Sequence, residues 1–120
     1  MMKNLIVRRI YDDFSENNYH RILVDRFWPR GISKKDVCID RWEKEIAPPR
    51  ELVVWFHQDK EKRFEEFEKK YTTYLEDHAN LVADITRREG GVALITAVKD
   101  IEHSHIPSLL RYIKNMHNLY

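Results

Sequence analysis

Apolar positions along this chain follow two periods, and each change of period marks a change of expected element. Leu5, Val7 and Arg9 alternate with Ile6, Arg8 and Ile10, and the β-branched content predicts a short strand over residues 5–10. A polar turn segment follows, from Asp12 to Asn18. Residues 19–25 read as a second strand, because Ile22, Leu23 and Val24 form the continuous apolar run of a strand covered on both faces. Val92 to Val98 is a third such run, with Lys99 and Asp100 at its exit.

Between the second and third strands the period lengthens. Ser33–Asp36 and Asp40–Glu43 both have capping-box spacing, and the second predicts a helix opening at Asp40 with Trp42 and Ile46 facing inward. Ala47-Pro48-Pro49 stops it. A short helix from Pro49 to Phe56 is expected next, with Leu52, Trp55 and Phe56 as its apolar stripe and His57 at its end. Phe64, Phe67, Tyr71, Tyr74, Leu75 and His78 give the strongest helical pattern, over Lys60 to His78, and Leu81, Val82 and Ile85 continue or restart it. Gly90-Gly91 is expected to end the helical region. A last helix, Ser104 to His117, places Leu109, Leu110, Ile113 and Met116 inward and Pro107 in its first turn.

Strands separated by helices define an α/β class: a single domain over residues 1–120, with a small, largely parallel sheet and flanking helices. Ligands of such sheets gather outside the carboxyl ends of the strands. That rule brings Asp25-Arg26-Phe27-Trp28-Pro29-Arg30-Gly31, Val98-Lys99-Asp100 and the start of the last helix, beside His103 and His105, to one edge.

The first of these segments reads as a site, since Pro29 and Gly31 alone would turn the chain. Arg26 and Arg30 each offer a planar fork to a carboxylate or phosphate, Lys99 adds a point charge, and Trp28 would wall the pocket. Asp25 and His103 complete the expected ligand-binding set. The plainer alternative pairs Arg26 with Asp25 or Asp100 and buries Trp28 in the core. His57, Asp100 and His105 are the candidate acid–base groups, a His near a helix N-terminus tending to lose its proton. His57, at a helix C-terminus, would instead be stabilised as an imidazolium.

The spacing Asp100-x-x-His103-x-His105 is not that of a zinc site, and no metal or cofactor is expected. Cys38 reads as a small buried side chain, and as the only cysteine it excludes an internal disulfide. Glycine-rich nucleotide loops and a serine nucleophile elbow are missing.

Charge narrows the partners. The net charge of +1 lacks the basic excess of a nucleic-acid-binding domain, although residues 1–50 carry a balance of +3 and residues 51–120 one of −2. The N-terminal apolar run, Leu5-Ile6-Val7, is too short for an export signal or membrane span, so a cytoplasmic location is expected.

Asp25 to Gly31, Trp42-Glu43-Lys44-Glu45-Ile46-Ala47-Pro48, Trp55-Phe56-His57, Phe64 through Tyr71, and Lys99-Asp100 before His103 and His105 together resemble the YeaO-like branch of the bacterial domain of unknown function 488 family. The resemblance spans nearly the whole chain. It implies a fold and a site location but no particular reaction. Two departures stand out: members often carry a Tyr, a small residue and Ala where this chain has Thr96, Ala97 and Val98, and an Asn where it has Ser104. Another branch carries cysteines near the equivalent strand exit, and this chain has none there.

The expected function is a pocket for a small phosphate- or carboxylate-bearing ligand at the carboxyl edge of the sheet, with hydrolase or transferase activity as the chemistry it would serve. A non-enzymatic regulator or nucleic-acid-binding protein is the alternative, with Trp28 and Phe27 as stacking surfaces on the basic first third.

Overall fold

The computed structural model describes residues 4–12, 18–35 and 37–117. Its strands are β1 (Leu5–Arg9), β2 (Tyr19–Leu23), β3 (Arg41–Trp42) and β4 (Gly91–Thr96), in the order β1-β4-β2-β3 with every pairing parallel. Helices α1 (Arg50–His57), α2 (Lys60–Asp77), α3 (Ala79–Thr86) and α4 (Ile106–Met116) follow, with 3-10 turns at Lys44–Ile46 and Ile101–His103. The α/β reading holds, and the three expected strands lie in one sheet with β2 and β4 parallel. The polar turn expected at 12–18 falls largely outside the described residues.

β4 is buried along its whole length because it is flanked on both edges and covered on both faces. Alternate residues split the core. Ile22, Val24, Val92 and Leu94 point to one side, where they meet Ile46, Tyr71, Leu75, Val82, Ile85, Ile106, Leu109 and Ile113. Each such fully buried aliphatic side chain contributes roughly 1.5–3 kcal/mol. Leu23, Ala93 and Ile95 point to the other side, and there Ile6, Ile10, Tyr19, Trp28, Ile39 and Trp42 close over them without a helix. The helices therefore back one face of the sheet, and strand and loop residues cover the other.

Two local expectations are overturned. The segment from Asp40 does not open a helix: Asp40 N–H donates to the Arg21 carbonyl at 2.9 Å, Asp40 Oδ2 accepts from Arg21 N–H at 2.8 Å, and Glu43 N–H donates to the Leu23 carbonyl at 2.9 Å. These bonds make residues 40–43 an edge of the sheet, and the helical turn begins only at Lys44. Ile46 is nonetheless buried, as expected.

Nor is it Gly90-Gly91 that ends the helical region. α3 ends at Thr86, capped by Arg87, and among the described glycines only Gly31 has a positive φ, +74°. A Cβ on Gly91 would lie 2.5 Å from the Tyr19 ring, its partner across β2, so close packing explains this glycine. The other helix ends follow the sequence closely. Asp59 caps α2 by accepting from Lys62 N–H, and Ser104 Oγ accepts from Ile106 N–H at the start of α4.

Candidate functional site

Beyond the carboxyl ends of β2 and β4 a cavity of about 780 Å³ opens between the strand exits, α1, the start of α2 and the turn leading into α4. Its lining combines an aromatic wall with charged groups. Phe56 and Phe67 stack with centroids 4.1 Å apart, Phe64 lies 6.0 Å from Phe56, and half-exposed Phe27 also borders the space. Of the expected site residues, Asp25, Arg26, His57, Lys99, Asp100, His103 and His105 all line this cavity. Lys60 and Glu61 join them from the first turn of α2.

Asp25 anchors the inner end. Its Oδ1 accepts from Thr96 Oγ1 and its Oδ2 from Ala97 N–H, both at 2.7 Å, so the carboxylate ties the exit of β2 to that of β4. Thr96 thus supplies one of the two donors that hold the carboxylate. His105 sits beside this carboxylate, with Nε2 3.4 Å from Asp25 Oδ1 and 2.9 Å from the Val24 carbonyl oxygen. A carbonyl only accepts, so Nε2 carries a proton that it donates there.

Arg26 is held by the scaffold. Nε donates to the Pro48 carbonyl, Nη2 to the Ala47 carbonyl and to Tyr74 Oη, and Nη1 lies 3.3 Å from Glu45. Its partner is thus Glu45 rather than Asp25 or Asp100, and its fork is directed at the Ala47-Pro48 turn. Tyr71 and Tyr74 brace the same turn through the Ile46 and Glu45 carbonyls. Burial holds the Tyr71 hydroxyl far above the ordinary phenol range.

At the outer rim, Asp100 Oδ2 accepts from His103 Nδ1 at 2.9 Å, and the His103 ring meets Phe64 edge-on at 5.5 Å. A carboxylate so placed fixes the tautomer of an imidazole, although both side chains are mostly in solvent, 67% and 63% exposed. His57 has a pKa below the usual imidazole value, first because burial disfavours the cation and then because Lys60 repels it. Burial and Lys60 thus outweigh the stabilisation expected from the helix C-terminus. Lys60 and Lys99 are exposed at the mouth.

Two expected ligand-binding residues lie elsewhere. Trp28 packs on the helix-free face, 5.3 Å from Trp42 and edge-on to it, and its Nε1 donates to the Ile32 carbonyl at 2.7 Å. Arg30 is exposed, just before the left-handed Gly31, and neither side chain lines the cavity. Cys38, expected to be buried, is exposed.

In the sequence Phe56, Phe64 and Phe67 stand out only as members of apolar helical stripes, and Lys60 and Glu61 do not stand out at all. The apolar stripe of α2 was visible, but that its first turns border open space was not. Among the described residues, no cluster of three or more His, Cys, Asp or Glu is placed to hold a metal, and no helix is long and apolar enough to cross a membrane.

A family model described as "Inactive DUF488-N3 subclade" matches residues 4–118. An uncharacterized protein of Mycobacterium tuberculosis is 38% identical over 109 residues, which cover 89% of this chain and 91% of the relative. Uncharacterized protein YeaO of Escherichia coli is 33% identical over 116 residues, covering 94% and 99%. No solved structure shows a significant match. The chain belongs to the domain of unknown function 488 family, with YeaO-like relatives.

Proposed function

We propose that this protein binds a small organic anion in the cavity at the carboxyl edge of the sheet, holding it without turnover. The observation that carries the reading is the union, around one space of about 780 Å³, of an aromatic wall with cationic side chains from two separate segments. Small-molecule sites have this character: mostly apolar, with a few placed polar groups, and roughly 300–1,000 Å³ in volume. Phe27, Phe56, Phe64 and Phe67 would receive the apolar body of the ligand, and Lys60 and Lys99 its phosphate or carboxylate. Arg26 contributes indirectly, by fixing the Ala47-Pro48 wall.

Binding rather than hydrolysis or group transfer is favoured by the state of two carboxylates of the site, one of them the acid–base candidate Asp100. Asp25 already accepts bonds on both oxygens, and Asp100 is engaged with His103 at the solvent-exposed rim. The description of the matching subclade as inactive points the same way. A nucleic-acid surface built on Trp28 is disfavoured, because its ring packs against Trp42 and lies beneath the Lys34 ammonium.

Isothermal titration with phenyl phosphate, benzoate and inorganic phosphate tests the reading. The aromatic anions should bind and inorganic phosphate should not, and Lys99→Glu and Phe64→Ala should each weaken binding by about tenfold or more, equivalent to about 1.4 kcal/mol. Equal affinity of the two variants and the wild type for every probe would refute it.

A further inference from the structure

Resting on that anion-binding reading, we infer that the ligand is an aromatic acid that also carries an O–H or N–H donor, recognised by His105 Nδ1. His105 is 8% exposed and borders the cavity. Its Nε2 proton is committed to the Val24 carbonyl, so Nδ1 is the ring nitrogen left to meet a ligand, and it accepts a hydrogen bond there whenever it carries no proton. Among the described residues Nδ1 has no hydrogen-bond partner. Yet no sealed side-chain nitrogen or oxygen among the described residues lacks one. Nδ1 is therefore open, and the cavity is the space this nearly buried ring adjoins.

The surroundings fix the ring in place. Tyr71 meets it edge-on at 6.0 Å, and Asp25, itself held by Thr96 and Ala97, lies on the Nε2 side. A flip of the ring would put Cε1 where Nε2 now sits and take the proton-bearing nitrogen off both of its acceptors. The outcome is a fixed acceptor next to Asp25, at the inner end of a pocket with an aromatic wall and with Lys60 and Lys99 exposed at its mouth. A ligand complementary to it places its acidic group outward, toward Lys60 and Lys99, its ring among Phe56, Phe64 and Phe67, and a hydroxyl or amino donor inward. A site built around an acceptor rejects ligands that leave it dry and unpaired, which converts one hydrogen bond into selectivity.

The test compares benzoate with its three hydroxybenzoate isomers on the wild-type protein, by calorimetry and by the ¹⁵N resonance of His105 Nδ1 at about pH 8, where an ordinary imidazole is neutral. At least one isomer should bind about tenfold or more tightly than benzoate and should shift Nδ1 upfield, as a hydrogen bond to a bare imidazole nitrogen does, whereas benzoate should leave Nδ1 in place. His105→Gln, which keeps both a donor and an acceptor, should retain part of the preference if it folds. Equal binding of benzoate and all three isomers, or an Nδ1 resonance that no isomer moves, overturns the donor inference while leaving anion binding intact. Failure of all four compounds to bind overturns both.

Discussion

Thr96 Oγ1 donates to Asp25 Oδ1 at 2.7 Å, joining the last residue of β4 to the second residue beyond β2 at the point where the cavity begins. Ala97 N–H holds the other oxygen, so the carboxylate spans the two strand exits as a clamp. Asp25→Asn would aim an amide NH₂ at one of these donors, and Thr96→Val would remove one of them. We expect losses of about 2–4 and 1–3 kcal/mol respectively, read by urea denaturation, with the double variant less than additive. Additive losses would show that the two side chains act independently.

Arg26 and Tyr71 are expected to matter for the fold. Arg26→Ala leaves the Ala47 and Pro48 carbonyls and Tyr74 Oη without their donor, and Tyr71→Phe strips the buried Ile46 carbonyl. Each should cost about 1–3 kcal/mol in chemical denaturation. Glu45→Ala should cost less than about 1 kcal/mol, because Glu45 is 55% exposed and its ion pair is screened.

The architecture was largely legible in the sequence, since continuous apolar runs and the 3.6-residue stripe of α2 are local signals. What escaped were decisions made by distant partners. β3 is a strand because Arg21 and Leu23 supply hydrogen-bond partners to residues 40 and 43, which overrides the capping-box spacing at Asp40. The convergence of Asp25, Lys99 and His105 followed from parallel topology alone. The departure of Trp28 and Arg30 did not, because Trp28 is held by distant Trp42 on the opposite face and by its bond to the Ile32 carbonyl, while Arg30 is left exposed outside the cavity lining.

That separation of faces can be measured. Trp28→Ala should lower stability by about 2–4 kcal/mol, through loss of the indole packed on Trp42, while leaving the affinity for phenyl phosphate unchanged within about twofold at a temperature where the variant is folded. A variant that is folded but no longer binds would place Trp28 in the site after all.

His57 gives a pH signature. Its folded pKa is depressed by burial and by Lys60, so as pH falls the unfolded chain takes up the proton first and the folded state loses stability below the ordinary imidazole value of about 6.5. His20, depressed in the same direction mainly by burial, adds to this limb. His57→Gln should flatten part of the decline between roughly pH 7 and 5. A bound anion beside His57 should favour its protonation, so titrations with phenyl phosphate near pH 6 should show net proton uptake that disappears in the variant.

Anion binding in the aromatic cavity is tested most directly by mapping amide shift changes in the wild-type protein as phenyl phosphate is added. Saturable shifts should cluster at residues 25–27, 56–64 and 98–105, around the cavity between the strand exits and α2. Shifts confined to Trp28, Lys34, Trp42 and Lys44, or no saturable shift at about millimolar ligand, would contradict it.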